Sequence, residues 1–378
     1  MPFYCDPVKL FLAVWLVMVV SLYFPIAYTT YPDASLGLIL FIASLLSYGL
    51  GYVTVRAAHK SVGFEAFGPD RYRIDVTRLR RFHRLIWLVV IAIVLLNLQI
   101  YGLPPVVGFF GGDSLNYFAY GSLKQALFPA ITVLFVSAPL EPSWWRRWLI
   151  YLFSPVCIFA YASRGFLLIM LFQALMVFSL RTSLSKKKLY AVGALTLISA
   201  LLLSDSIGNG RSDQGAQALL LYMQIKRAYY EWPTSLLWAI SYMQTGISNL
   251  CWIVRVYPYD HPSANFLGGM LPGSWAPFPL EGTDLGSANI VDGVHTYIAK
   301  YYLDFWLFGI FIINYIWGLV SASMSAGNRL TRNYLSSAVL LGCAGFIFFV
   351  DYLSVLAILV ELSLLTVGQR YVTVACET

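Results

Sequence analysis

The run Leu85-Ile-Trp-Leu-Val-Val-Ile-Ala-Ile-Val-Leu-Leu-Asn-Leu-Gln-Ile-Tyr-Gly-Leu103 carries no charged side chain and follows directly on Asp70-Arg-Tyr-Arg-Ile-Asp-Val-Thr-Arg-Leu-Arg-Arg-Phe-His-Arg84. A hydrocarbon core ~30 Å thick takes about 20 apolar residues as a helix. In lipid the backbone groups of such a run must be satisfied within it, so it is helical. Working outward, comparable runs lie near 10–29, 35–55, 123–139, 148–162, 165–180, 189–204, 303–325, 334–350 and 353–368. The first, Leu10 to Tyr28, is too long for a signal peptide and has no small-residue cleavage site, so it reads as a retained span. The composition agrees, with 59% hydrophobic residues, 11% charged and a mean hydropathy of +0.70. These values exclude an ordinary soluble domain. The expected fold is an all-α polytopic membrane protein of about ten transmembrane helices.

Charge sets the orientation. With the N-terminus in the cytoplasm, 18 of the 25 lysines and arginines fall on the cytoplasmic side: Lys9, Arg56, Lys60, the six arginines of 71–84, Arg146, Arg147, Arg181, Lys186, Lys187, Lys188, Arg329, Arg332 and Arg370. The opposite side keeps Lys124, Arg164, Arg211, Lys226, Arg227, Arg255 and Lys300. This is the asymmetry of the positive-inside rule and places both termini in the cytoplasm. It also accounts for the net charge of +7 without a nucleic-acid partner. The chain divides into helices 1 to 7 over 1–204, with a basic cytoplasmic loop at 56–84, a large outward loop at 205–300, and helices 8 to 10 with a short cytoplasmic tail over 301–378. Within the basic loop, 70–84 mixes arginine with apolar residues as a surface-lying helix on anionic phospholipid headgroups would. The plainer role, favoured over specific binding, is topology anchor. Cys5, Cys157, Cys251, Cys343 and Cys376 are scattered, with no spacing for a disulfide framework or a metal site.

The outward loop is the one long departure from short connections, and its tryptophans and tyrosines set it apart from disordered tracts. Residues 216–230 have the pattern of an amphipathic helix. Residues 234–256 are apolar but interrupted by Gln244-Thr-Gly-Ile-Ser-Asn-Leu250. They read as a helix packed along the membrane surface or a re-entrant element, with two full spans as the other possibility. The aromatic rings suit headgroup layers and sugar faces alike.

Three outward arginines oppose the insertion bias: Arg164 at the mouth of the sixth span, Arg211 in Gly208-Asn-Gly-Arg-Ser-Asp213, and Arg255. Guanidinium forks pair bidentately with phosphate oxygens, although each arginine is also placed to snorkel to headgroups or pair with Asp205, Asp213 or Asp260. Where the loop re-enters the membrane, Val291 to Gly309 brings His295, Asp292 and Asp304 to the interface as candidate catalytic groups. A lone histidine also serves structure, and Glu281 and Asp284 are further candidate bases. Glu361 is the charge within the span interiors, a candidate proton relay or a partner for Asn97, Gln99 or Gln173.

Four of these features resemble the Wzy-type polymerases of O-antigen and related oligosaccharide repeat units. They are Ser163-Arg-Gly165 opening a mid-chain span, Tyr242 to Leu250 ending Gly-Ile-Ser-Asn-Leu, the large outward loop, and Asp304-Phe followed by Gly309. The resemblance implies the membrane glycosyltransferase fold of the C superfamily, in the bacterial inner membrane. It also implies transfer of a glycan from undecaprenyl diphosphate to another lipid-linked repeat unit at the periplasmic face, metal-independent and without cofactor. For that reaction the candidates are Arg164, Arg211 and Arg255 for the lipid diphosphate, His295, Asp292 and Asp304 for catalysis, and Tyr242, Asn249, Trp252 and Trp275 for the glycan. As partners the resemblance implies the lipid-linked oligosaccharide and allows a chain-length regulator. The chain departs from related ligases in Thr296 after His295, and its Asp304-Phe-Trp-Leu-Phe-Gly309 replaces a more compact glycine motif. An O-antigen ligase and a lipid-linked oligosaccharide flippase are the alternatives. The absence of a His-Asn pair leans away from the first, and the absence of an internal repeat away from the second.

Overall fold

The computed structural model describes residues 5–27, 34–61, 72–104, 106, 121–161, 163–181, 185–210, 220, 224–256, 298–325, 334–346 and 355–375. In chain order the elements are α1 (Pro7–Tyr23), α2 (Ala34–Ser61), β1 (Tyr72–Ile74), α3 (Val76–Tyr101), α4 (Gly121–Ser137), α5 (Trp144–Ala160), α6 (Arg164–Arg181), α7 (Lys186–Gly210), α8 (Thr234–Val256), α9 (Ala299–Ser325), α10 (Tyr334–Gly345), α11 (Leu356–Val372) and β2 (Thr373–Ala375). A helix lies over each of the ten apolar runs. Among the described residues, Ser35–Ala58, Val76–Tyr101 and Tyr301–Met324 are long and apolar enough to cross a membrane, and Pro7–Tyr23, Ala126–Leu140, Gly165–Leu180 and Tyr334–Gly345 are shorter apolar helices. Their outer faces are apolar too, with Leu46, Leu50 and Val53 of α2 more than 60% exposed. Contiguous surface of this kind is stable in hydrocarbon, not in water. The protein is an all-α membrane protein.

Local chemistry sets the helix ends. Asp6 caps α1 by accepting from the backbone N–H of Val8 and Lys9, with Pro7 in the first turn. Asp75 caps α3, accepting from Thr77 N at 2.8 Å and Arg78 N at 3.1 Å. The bond from the Arg78 backbone, then that from Thr77, holds its carboxyl below the ordinary carboxylate range. At the far end of α3, Gly102 takes φ +79 and returns its N–H to Leu98 O at 3.1 Å, a left-handed stop that a β-carbon would strain. The surface-lying helix expected at 70–84 is not formed in its described part, 72–84. Residues 72–74 are a strand paired antiparallel with 373–375, and 76–84 are the first turns of α3. The Asp75 cap turns the chain straight into the spanning helix.

The closest helix pair is α2 with α9. Gly51 faces the Tyr315 carbonyl and Gly318 faces the Tyr48 carbonyl, so the two backbones touch where a side chain would separate them. Around these glycines Ser47 Oγ donates to Phe311 O at 2.5 Å, and Asn314 Nδ2 donates to Ser44 Oγ at 3.2 Å. Small residues and interhelical hydrogen bonds are what hold helices together where lipid removes the hydrophobic drive between them. Against this pair packs α1, whose Phe11 stacks on Tyr48 with ring centroids 4.1 Å apart.

Contacts between helix ends sort the termini into two ends. At one, Asp75 N donates to Val372 O, Leu335 N donates to Gln369 Oε1, and Cys5 lies against Met176. This end carries Lys9, Arg56, Arg78, Arg80, Arg81, Arg84, Arg146, Arg147, Lys186, Lys187, Lys188 and Arg370. This is the basic end of the bundle.

The opposite end is closed by α8, a single helix of 23 residues. Its start packs Leu237 with Ile26 and Ala27, just past α1. Its middle places Gln244 beneath the end of α1, where Nε2 donates to Ser21 O at 2.9 Å and Phe24 O at 2.7 Å while Oε1 accepts from Ile26 N at 3.0 Å. Farther on, Cys251 lies near Gly37 at the start of α2, and Val254 O accepts from Tyr302 Oη near the start of α9 at 3.2 Å. These four contacts all fall at one depth of the bundle, so α8 lies across its end and is not a pair of spans. The polar interruption at 244–250 is explained by Gln244, which substitutes for the water that the end of α1 would otherwise require. Of the amphipathic helix expected over 216–230, Leu220 is helical, and the described residues from 224 onward are not. Ile225 bridges to Ala27, Gln224 has φ +47, and only Arg227–Tyr229 forms a 3-10 turn. Pairing with the chain after α1 replaces the helical ladder there.

Replacing Gln244 by leucine strands Phe24 O and Ile26 N, while Ser21 O keeps its bond from Phe24 N, at about 1–3 kcal/mol for a buried unsatisfied group. A fall in the unfolding midpoint of the detergent-solubilised chain is expected, and Gln244→Glu, which turns a carboxylate oxygen toward two carbonyl oxygens, should fall at least as far. A midpoint unchanged in Gln244→Leu would show that α8 is not fixed to α1.

Candidate functional site

The end closed by α8 gathers the described members of the expected site. Arg255 stands exposed in the last turn of α8. One residue before it, the Val254 carbonyl takes the bond from Tyr302, and two residues after Tyr302 comes Asp304, fully buried. The two charged residues therefore flank the same α8–α9 junction. Along α8, Asn249 is buried and Trp252 is half-buried against the core, while Tyr242 stacks on Trp238 with centroids 5.6 Å apart and an interplanar angle of 20°. Asn249 and Trp252 thus belong to the packed face of the helix, and the Tyr242–Trp238 pair to its junction with the chain beyond α1.

The segment Asp304-Phe-Trp-Leu-Phe-Gly309 is a break in α9. Trp306 has φ +54 and ψ −139, so the helix stops and restarts on a new axis. Gly309 lies directly against the Tyr301 carbonyl, and a β-carbon there would overlap it. A non-glycine residue held in this region of backbone space stores on the order of 1–3 kcal/mol, which the surrounding packing must offset. The break leaves Asp304 inside the bundle while Phe305, Trp306, Leu307 and Phe308 are exposed. Sequence pattern alone marked Asp304 and Gly309; the break between them has no signal in apolar periodicity, because every residue from Phe305 to Phe308 is apolar.

Arg164 is the first residue of α6, whose main neighbours are α10, α7, α4 and α5, whereas α8 rests on α1, α7, α2 and α9. Arg211, His295, Asp292, Trp275, Glu281 and Asp284 lie outside the described residues.

Two buried polar groups lie elsewhere. Glu361 of α11 faces the amide of Gln173 on α6, which selects Gln173 from the three partners open to it. The alignment falls short of a good hydrogen bond, and neither carboxylate oxygen has another partner among the described residues. Gly342 makes room for Gln173, since a β-carbon there would meet its Cγ at 2.6 Å. At the basic end, Glu141 is buried just past α4. It accepts from Ser143 N at 3.2 Å and meets Arg80 Nε at 3.6 Å, with His83 Nδ1 at 3.9 Å. His83 Nε2 lies 2.9 Å from Ser137 Oγ, which itself donates to Val133 O at 2.6 Å. With the hydroxyl proton so engaged, the imidazole is the donor to Ser137. This cluster has no signal in the sequence, because His83 and Glu141 are 58 residues apart and belong to no shared motif. It pins α3 to the end of α4.

No family model matches the chain, and no curated protein or solved structure is similar to it.

Proposed function

We propose that the chain is an inner-membrane glycosyltransferase of ten spans that polymerises undecaprenyl-diphosphate-linked oligosaccharide repeat units at the periplasmic face. The observation that carries this reading is the α8–α9 junction, where an exposed arginine and a buried carboxylate flank a broken helix beneath a helix laid across the bundle end. The basic end faces the cytoplasm by the positive-inside rule, which leaves the α8 end and the 205–300 loop outside.

The chemistry asked of the site is modest and needs no metal. When the glycosyl C1–O bond to the lipid diphosphate breaks, the bonding pair leaves with the diphosphate, and arginine forks stabilise the charge that develops there. The acceptor hydroxyl forms the new bond to C1 and gives its proton to a nearby base, for which His295, Asp292 and Asp304 are the candidates. A helix across the bundle end with aromatic residues along it offers a platform for orienting two long glycans.

A reporter fused at Gly273 tests the sidedness, with periplasmic-type activity expected; cytoplasmic-type activity would sink the proposal. Deletion of the gene tests the reaction. Loss of a polymerase leaves single repeat units on the surface lipid, loss of a ligase leaves none, and an unchanged polysaccharide excludes both.

A further inference from the structure

Between α5, α6 and α7 at the basic end lies an open, mainly apolar groove of about 520 Å³ that borders the end of α4. Its walls include Phe135, Tyr151, Leu175, Phe178 and Thr196, and Arg147 lines the end where α5 begins, α6 finishes and α7 starts. Across α6 and α7, a second apolar cavity of about 280 Å³ shares Leu171, Leu175 and Thr196 with it.

Arg147 is held in place but not neutralised. Its Nε and Nη2 donate to the backbone carbonyl of Glu141 at 3.1 and 2.8 Å, which fixes the guanidinium and leaves Nη1 for another acceptor. The Glu141 carboxylate is turned to Arg80 and His83, and Arg147 has no carboxylate partner among the described residues. More positive charge stands beside it in the exposed Lys186, Lys187 and Lys188 at the start of α7, whose Val192 and Thr196 form one wall. Trp144, Trp145 and Trp148 are exposed on the first turns of α5, where indole rings mark the headgroup layer. By contrast Arg146 lies over the Trp145 ring, 5.2 Å from its centroid, and takes no part in the groove.

We infer that this groove is a binding site for an anionic phospholipid of the adjacent leaflet, with its phosphate on Arg147 and an acyl chain along Phe178, Leu175 and Thr196. An apolar channel ending in a fixed, uncompensated cation matches the two parts of such a lipid; a soluble anion leaves the channel unfilled, and the ammonium of a zwitterionic headgroup is opposed by Arg147 and the neighbouring lysines. Charge at the site is complementary to the phosphate and to the anionic surface of a cytoplasmic leaflet. The site is separate from the proposed catalytic end and holds whether or not the chain is a polymerase.

The test is lipid retention by the full chain in detergent, followed by native mass spectrometry with phosphatidylglycerol and phosphatidylcholine of identical acyl chains. Wild type is expected to favour phosphatidylglycerol by about ten-fold, the effect of one charge-assisted contact. Arg147→Gln should abolish the preference and Arg146→Gln should keep it. Thr196→Phe, which fills the groove and leaves Arg147 bonded to Glu141, should lower retention of both lipids and decides the matter if Arg147→Gln does not fold. The inference is overturned by a preference that survives Arg147→Gln, by retention unchanged in Thr196→Phe, or by displacement of the lipid with millimolar glycerol phosphate, which would reduce the site to a headgroup contact.

Discussion

Exchange of Arg164, Arg211 or Arg255 for lysine is expected to slow polymerisation by about thirty- to thousand-fold, as when a contact that strengthens in the transition state is lost. Lysine keeps the charge and loses the planar fork, so the exchange isolates bidentate recognition of a diphosphate. Competing roles predict something else. An arginine that only snorkels to headgroups tolerates lysine, because either cation reaches them. One that only complements the carbonyl end of α8, as Arg255 is placed to do, also tolerates it, since the helix dipole responds to charge and not to shape. Lys226 and Arg227 serve as controls. They lie at the same bundle end, on the 3-10 turn beside α1, and Lys226→Arg and Arg227→Lys should leave activity near wild type. The measurement is the chain-length distribution of surface polysaccharide at matched protein levels. Normal distributions in all three lysine variants would remove the physical support for a lipid-diphosphate enzyme.

How far the sequence led depends on the kind of force involved. The apolar helices were legible because hydrocarbon demands a long uncharged helix, a constraint written locally in each run. The basic end was legible for a similar reason, since each cation is an independent mark of position. What was not legible is what depends on pairing between distant residues. Gln244 looked like a flaw in an apolar helix until the end of α1 was found beneath it. Residues 70–84 looked like a surface helix because arginine among apolar residues suits both a membrane surface and the foot of a span; the Asp75 cap and the β1–β2 pairing, formed with residues 373–375, decide between them. In the candidate site the sequence named Arg255 and Asp304 from charge and pattern. It gave no sign that Tyr302 would join their helices, or that α9 would break between Asp304 and Gly309.

That break makes opposite demands on two residues, and the second large effect follows from it. Gly309→Ala places a β-carbon on the Tyr301 carbonyl, a backbone atom with no flexible end to yield, so the two parts of α9 must separate. Overpacking of this kind costs about 1–3 kcal/mol, and contact with backbone belongs at the upper end. The folded yield and unfolding midpoint of the detergent-solubilised chain should fall sharply, and polymerisation with them. Gly49→Ala is the control. It lies within α2 with nothing in reach of a β-carbon, and there alanine should gain about 0.5–1 kcal/mol of helix stability. Trp306→Gly then separates a broken α9 from a straight one. At φ +54 glycine relieves the backbone strain that tryptophan carries, so in a broken helix the change offsets part of the lost ring contact and the midpoint moves little. In a straight helix the signs reverse: Gly309→Ala would stabilise, and Trp306→Gly would cost both ring packing and about 1 kcal/mol of helix propensity. A stabilised Gly309→Ala beside a crippled Trp306→Gly would therefore remove the break, and with it the form of the junction that Asp304 and Arg255 flank.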